Sequence, residues 1–187
     1  MIKKLVLSVL ILIVLGGCGA SNKDAPTPTA APIPLKDIDL LRLAIQSGDL
    51  PEGYSKGQPT RVEGQVARDK GFIKSAGLGI ENDGVETGGV NIYLYESLDQ
   101  ASESYTEYMD SLVRASEYPN VEIKNSEVLG EKAAYAIVKD MSGGDFIDLV
   151  FVRCHAVAYI RMATQSVPEV LKLGVSLDYR LKPLVCP

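Results

Sequence analysis

The chain has 187 residues, 46% of them apolar and 23% charged, with a formal net charge of −5. That is the size of one globular domain with an appendage, and the composition excludes wholesale disorder. The acidic balance argues against nucleic acid as a partner, which needs a basic face, and one His with three Cys excludes a His-rich or multi-Cys zinc framework.

The chain opens with Lys3 and Lys4, an apolar run from Leu5 to Leu15 broken only by Ser8, and then Gly16, Gly17 and Cys18. A charged start, an apolar middle and small residues at the cut form a secretory signal pattern. The run is shorter than the roughly 20 residues of a spanning helix, so the transmembrane reading is the weaker one. Leu15-Gly16-Gly17-Cys18 resembles a bacterial lipobox. The resemblance implies cleavage before Cys18, with a diacylglycerol on its thiol and acyl chains of the palmitate kind. Residues 1–17 are then a lipoprotein signal peptide and Cys18 is the lipidation site. Two or more chains on one residue anchor durably, whereas one binds reversibly. Loss of residues 1–17 removes two lysines and no acid, so the mature chain is more acidic still. Anionic headgroups repel such a surface, which leaves the lipid to hold the protein at the membrane. The expected location is the extracytoplasmic face of the cell membrane. An outer membrane is an option where there are two membranes, because Gly19 stands where an inner-membrane retention Asp would.

Residues 18–35 form the lipidated Cys and a tether of Pro, Thr and Ala, with APTPTAAPIP over 25–34. This composition cannot bury enough apolar surface to order itself, and its prolines favour extended polyproline II. Its reach is on the order of 50 Å at ~3.1 Å per residue.

Residues 36–187 read as one domain. Ile38, Leu41, Ala44 and Ile45 have helical spacing, which predicts a helix over 36–48 ending at Gly48. Asp49-Leu50-Pro51-Glu52-Gly53-Tyr54 is turn-rich. Strands are expected at 60–67 and 71–79, a hairpin turn at Asn82-Asp83-Gly84, and a well-alternating strand at 88–96. Ser97 with Gln100 is a capping-box pattern opening a helix over 98–116, with Leu98, Ala101, Tyr105, Tyr108, Met109 and Leu112 on its apolar face. Tyr118-Pro119-Asn120 stops it. Strands at 121–128, 132–139, 145–153 and 156–163 follow, joined by Gly130, Ser142-Gly143-Gly144-Asp145 and Cys154-His155. Their short links make them antiparallel neighbours. Ser166 with Glu169 suggests a second capping box, Pro168 sits in the first turn, and Val167, Val170, Leu171, Gly174, Leu177 and Leu181 line the last helix. The class is therefore α+β: a mainly antiparallel sheet of about six or seven strands with three amphipathic helices packed on it.

With Cys18 lipidated, Cys154 and Cys186 remain in a compartment where disulfides persist. The strand leaving Cys154 runs ~27 Å at ~3.4 Å per residue, and the last helix returns ~22 Å at ~1.5 Å per residue. The C-terminus thus ends near residue 154, and a Cys154–Cys186 bridge is expected.

No nucleophile elbow, H-E-x-x-H or C-x-x-C occurs. His155 beside Cys154 suggests a thiol–imidazole pair only in principle, since neighbours on a tight turn rarely face each other. Gly77-Leu78-Gly79 is no dinucleotide fingerprint, and the Glu81-Asn82-Asp83-Gly84 loop lacks the closing Glu of a calcium loop, with Val90 in its place. No catalytic set, metal site or cofactor is expected. Nine Tyr against three Phe and no Trp stand out, with Tyr93, Tyr95, Tyr105, Tyr108, Tyr135 and Tyr159 on predicted strands and the central helix. They suit a ligand groove, though a half-buried sheet face is the plainer reading. Arg153 and Arg161 flank the last hairpin and suit an anion, though solvated strand charges opposite Asp148 explain them as well.

The segments Asp49–Tyr54, Val90–Glu96 and Val128-Leu129-Gly130-Glu131-Lys132-Ala133, with the final hairpin and helix, resemble a class of uncharacterised prokaryotic lipoproteins. The layout is also similar to the extracellular sensor domains of mycobacterial serine/threonine kinases and, more remotely, to the PsbP-type fold. The resemblance implies a non-catalytic binding or sensing role, with an unidentified small molecule or protein as partner. Docking on a membrane complex is the alternative. A hydrolase using Asp145 with Asp148, or Glu81 with Asp83, is a third.

Overall fold

The computed structural model describes residues 33–46, 48–60, 71–116, 121–139, 144–164 and 166–186. The expected signal peptide, Cys18, the tether up to residue 32, residues 61–67, the Tyr118–Asn120 stop and Ser142-Gly143 lie outside the described residues.

The expected first helix is much shorter in the structure. A 3₁₀ turn, Leu35–Asp37, precedes α1, Leu40–Ala44. Asp39 opens α1 by accepting the Arg42 N–H at 3.3 Å, and Ile45 is already extended. The reason is long-range. Arg180 donates to the Leu43 carbonyl at 2.9 Å and pairs with Asp49 at 2.8 Å. Asp49 in turn accepts the Gln46 N–H at 2.8 Å, so the backbone that would have continued the helix is bonded elsewhere. Leu40 is buried where Leu41 was expected, and Leu41 is exposed.

The first described strand, β1, is Tyr54–Thr60, a strand that sequence reading did not anticipate; the one expected at 60–67 lies beyond Thr60, outside the described residues. The Pro51-Glu52-Gly53 turn, closed by the Tyr54 N–H on the Pro51 carbonyl, starts it there. β2 (Phe72–Asn82) and β3 (Val85–Tyr95) form the expected hairpin. Asp83 and Gly84 both have positive φ, 51° and 76°, as a tight turn matching strand twist requires. α2 follows at Leu98–Ser116, with the Ser97 hydroxyl accepting the Gln100 N–H at 3.2 Å. Next come β4 (Val121–Ser126), β5 (Lys132–Lys139), β6 (Asp145–Arg153), β7 (Ala156–Ala163) and α3 (Val167–Val185).

Ser166 caps α3 through its carbonyl, not its side chain; the Ser166 N–H is bound by Thr164 Oγ1 at 3.1 Å. α3 also runs past the expected end at 181, through Pro183, and buries Leu173 and Val185 in addition to Val170, Gly174, Leu177 and Leu181.

The strands make one antiparallel sheet in the order β1-β2-β3-β7-β6-β5-β4. This confirms the α+β class and the antiparallel sheet. Strand alternation divides the core in two. Val90, Ile92 and Leu94 of β3, Ile147, Leu149 and Phe151 of β6, and Ile160 and Met162 of β7 pack with Leu173, Leu177 and Leu181 of α3 and with α1. On the opposite face Val150, Val152, Val157 and Tyr95 pack with Ala101 and Tyr105 of α2. The helices therefore sandwich the sheet.

Candidate ligand groove

α2 touches β3, β4, β6 and β7. Along its flank lies a hollow of about 740 Å³. Its floor is Asn91 and Tyr93 of β3 with Tyr159 of β7; its wall is Glu107, Tyr108 and Ser111 of α2. A second hollow of about 670 Å³ adjoins it, sharing Asn91, Tyr93 and Tyr159 and continuing past Phe146 and Arg161 to Gly88. Gly88 is required by packing: a Cβ there would lie 2.1 Å from the Arg161 carbonyl oxygen.

Local sequence positions these groups. Residues 91 and 93 alternate away from the buried Val90, Ile92 and Leu94, and Tyr159 alternates away from Ala158 and Ile160. Tyr108 lies three residues from Tyr105 on the helix face turned to the sheet. The Tyr108 and Tyr159 rings meet at 5.0 Å between centroids, tilted by 59°.

A charged pair supports the floor. Asp148, only 1% exposed, lies opposite Arg161 in the β6–β7 register. Arg161 donates Nε and Nη2 to its two oxygens at 2.7 and 2.6 Å. Those bonds raise the Arg161 pKa, so the guanidinium stays charged. Burial raises the hydroxyl pKa of Tyr93, Tyr108 and Tyr159. For Tyr108 the neighbouring Tyr159 and Asp148 raise it further; for Tyr159 the Asp148 charge does so. The three hydroxyls therefore stay protonated at neutral pH. The groove offers neutral aromatic faces, with Glu107, Asp110 and Arg114 along α2.

Of the six tyrosines singled out in the sequence, Tyr93, Tyr108 and Tyr159 meet in this groove. Tyr95 of β3 and Tyr105 of α2 belong to the core between that helix and the sheet, with the Tyr95 hydroxyl on Ser104 at 2.7 Å. Tyr135 packs on the other face. Sequence reasoning missed Asn91 and the charged flank of α2. The spacing of Glu107, Asp110 and Arg114 beside Tyr108 was the available signal.

The other candidates resolve separately. Cys154 and Cys186 are bonded, with Cα atoms 5.2 Å apart. That removes the thiol–imidazole option: the Cys154 sulfur is not a thiol, and His155 Nδ1 lies 3.2 Å from the Tyr95 carbonyl. Glu131 sits beside the bridge and accepts the Cys154 N–H at 2.9 Å, but oxidised sulfurs offer no thiolate for a metal. Arg153 is held by Asp178 and Glu131, which overturns its reading as an anion site. Asp145 and Asp148 are an odd number of residues apart on one strand and face opposite sides of the sheet, so they form no acid pair. Asp83 is a turn residue with positive φ.

The chain matches no protein-family model, no curated protein and no solved structure. Among the described residues no helix is long and apolar enough to cross a membrane.

Proposed function

We propose that this chain is a lipid-anchored extracytoplasmic binding or sensing module, non-catalytic, whose ligand seats in the groove between α2 and the sheet. The observation that carries this reading is the groove itself: a concave surface floored by Tyr93 and Tyr159, walled by Tyr108 and bordered by Arg161 and Arg114. Few convergent polar groups over an aromatic floor suit reversible recognition. The buried carboxylate of Asp148 is neutralised by Arg161, which suits a supporting role. Cys18 supplies the anchor in this reading, the proline-rich segment the spacer, and the resemblance to tethered sensor domains supports it.

The test is the native mass of the full chain extracted from its own membranes. A retained small ligand, lost on denaturation and absent from a Tyr93→Ala variant, is the expected result. A bare chain, or one carrying a second polypeptide, overturns the small-ligand reading in favour of docking on a membrane complex.

A further inference from the structure

We infer that the groove takes a neutral, linear oligosaccharide, a reading that rests on the binding role proposed above. Three observations point to this class. The first is shape. The two hollows, of about 740 and 670 Å³, share Asn91, Tyr93 and Tyr159 and so form one trough. A compact metabolite fills one half; a chain of rings fills both.

The second is the floor. Tyr93 and Tyr159 stand on neighbouring strands, on the same face, and both are partly exposed. A tyrosine offers a flat apolar face with a polar tip. The C–H face of a pyranose ring stacks on such a surface while its hydroxyls reach the rim.

The third is charge. Glu107, Asp110 and Arg114 lie along α2, Glu86 lines the second hollow, and Arg161 is already neutralised by Asp148. Acid is in excess, so an anionic ligand is repelled. Carboxylate, amide and guanidinium groups each present two adjacent hydrogen-bonding atoms, as vicinal hydroxyls require. A cation cage is disfavoured because the Tyr108 and Tyr159 rings pack against each other, with no room for an ammonium group between them.

The experiment uses the full chain in a sugar-free detergent. The probes are neutral tetrasaccharides: β-1,4-linked glucose, mannose and N-acetylglucosamine, and α-1,4-linked glucose. With nine Tyr and no Trp, the emission is that of tyrosine, and the part of its change on binding that Tyr93→Ala removes reports on the floor. At least one tetramer is expected to bind saturably, with its disaccharide about tenfold weaker or worse because it spans one hollow. Tyr93→Ala and, independently, Asn91→Ala weaken binding by about tenfold or more. Tyr179→Ala, at an exposed position of α3 on the other side of the sheet, leaves it unchanged. Glu107→Gln with Asp110→Asn keeps hydrogen bonding and changes affinity less than about threefold. A loss beyond tenfold in that double variant overturns neutrality of the ligand. If no tetramer binds, the oligosaccharide class falls. Choline and an amino-acid panel then separate the two readings: binding that Tyr93→Ala abolishes keeps the module, and no binding removes it as well.

Discussion

Asp148 and Arg161 face each other across β6 and β7, and the two bonds between them hold a carboxylate that is 1% exposed against a guanidinium side chain that is 49% exposed. The asymmetry sets the outcome of mutation. Arg161→Met leaves Asp148 a buried charge stripped of the two bonds it accepts from the guanidinium. Breaking a buried pair from one side costs about 3–5 kcal/mol; water reaching the half-exposed arginine site brings the expected loss to about 2–3 kcal/mol. The double variant Arg161→Met with Asp148→Leu is expected to regain most of this, because no charge is left stranded. Urea unfolding of the three proteins checks it. A double variant as unstable as Arg161→Met sinks the argument.

The buried tyrosines make stability depend on alkaline pH. Burial raises the pKa of Tyr93, Tyr105, Tyr108 and Tyr159 above the ordinary 10.0. A raised folded pKa contributes stability that is complete below the unfolded value and is lost as pH climbs through the folded one. Above pH 10 the unfolded chain releases protons that the folded chain keeps, so ΔG of unfolding falls with pH, by up to about 1.4 kcal/mol per unit for each such group. The expected result is steady stability up to about pH 10 and a decline beyond it. Phenolate absorbance should show a slow fraction of tyrosines ionising only as the protein unfolds, reduced in Tyr108→Phe. Simultaneous titration of all nine in the folded state contradicts it.

Gly174 sets the distance between α3 and the sheet. A Cβ there would lie 2.6 Å from Leu149 Cδ2 and 3.1 Å from Leu129 Cδ1, both side chains being buried. Helix propensity alone favours alanine by about 1 kcal/mol. Overpacking costs about 1–3 kcal/mol and wins, so Gly174→Ala is expected to destabilise by about 1–2 kcal/mol. Thermal unfolding decides it; an upward shift means that Leu149 and Leu129 relax freely.

The parts of this architecture that depend on local patterns were legible in the sequence. Alternation over 88–96, the strand segments 145–153 and 156–163 with their short link, and the Asn82-Asp83-Gly84 turn predict strands and a hairpin that the structure contains. Elements governed by distant residues were not. The expected first helix fails because Arg180, 137 residues from Leu43, captures its carbonyl. The β3–β7 pairing brings together strands separated by α2 and three other strands, and no local signal encodes it. The groove suffers the same limit. Its tyrosines were on the candidate roll, but which three converge depends on that pairing and on where α2 crosses the sheet.

The Cys154–Cys186 bridge ties the end of α3 to the β6–β7 turn across 32 positions. Closing a loop of that length removes unfolded-chain entropy worth about 3–4 kcal/mol. Cys186→Ser is expected to lose about that much, with Leu181 and Val185 exchanging amide protons faster than Val170. Reduction in denaturant should add two hydrogens to the mass of the chain. No mass change means that the thiols were free.

Anchoring rests on Cys18 alone in the proposed reading. The acidic chain is repelled by anionic headgroups, so membrane residence has to come from acyl chains. The wild-type chain is therefore expected in the membrane fraction, with an intact mass exceeding that of polypeptide 18–187 by a diacylglycerol and any further acyl chain. Cys18→Ser should lack the excess entirely, whether or not its signal segment is still attached. Mass distinguishes the cases better than fractionation, because an uncleaved apolar run can retain a protein at the membrane without any lipid. A wild-type mass equal to the bare polypeptide removes the anchor, and the proline-rich segment then has no membrane to space the domain from.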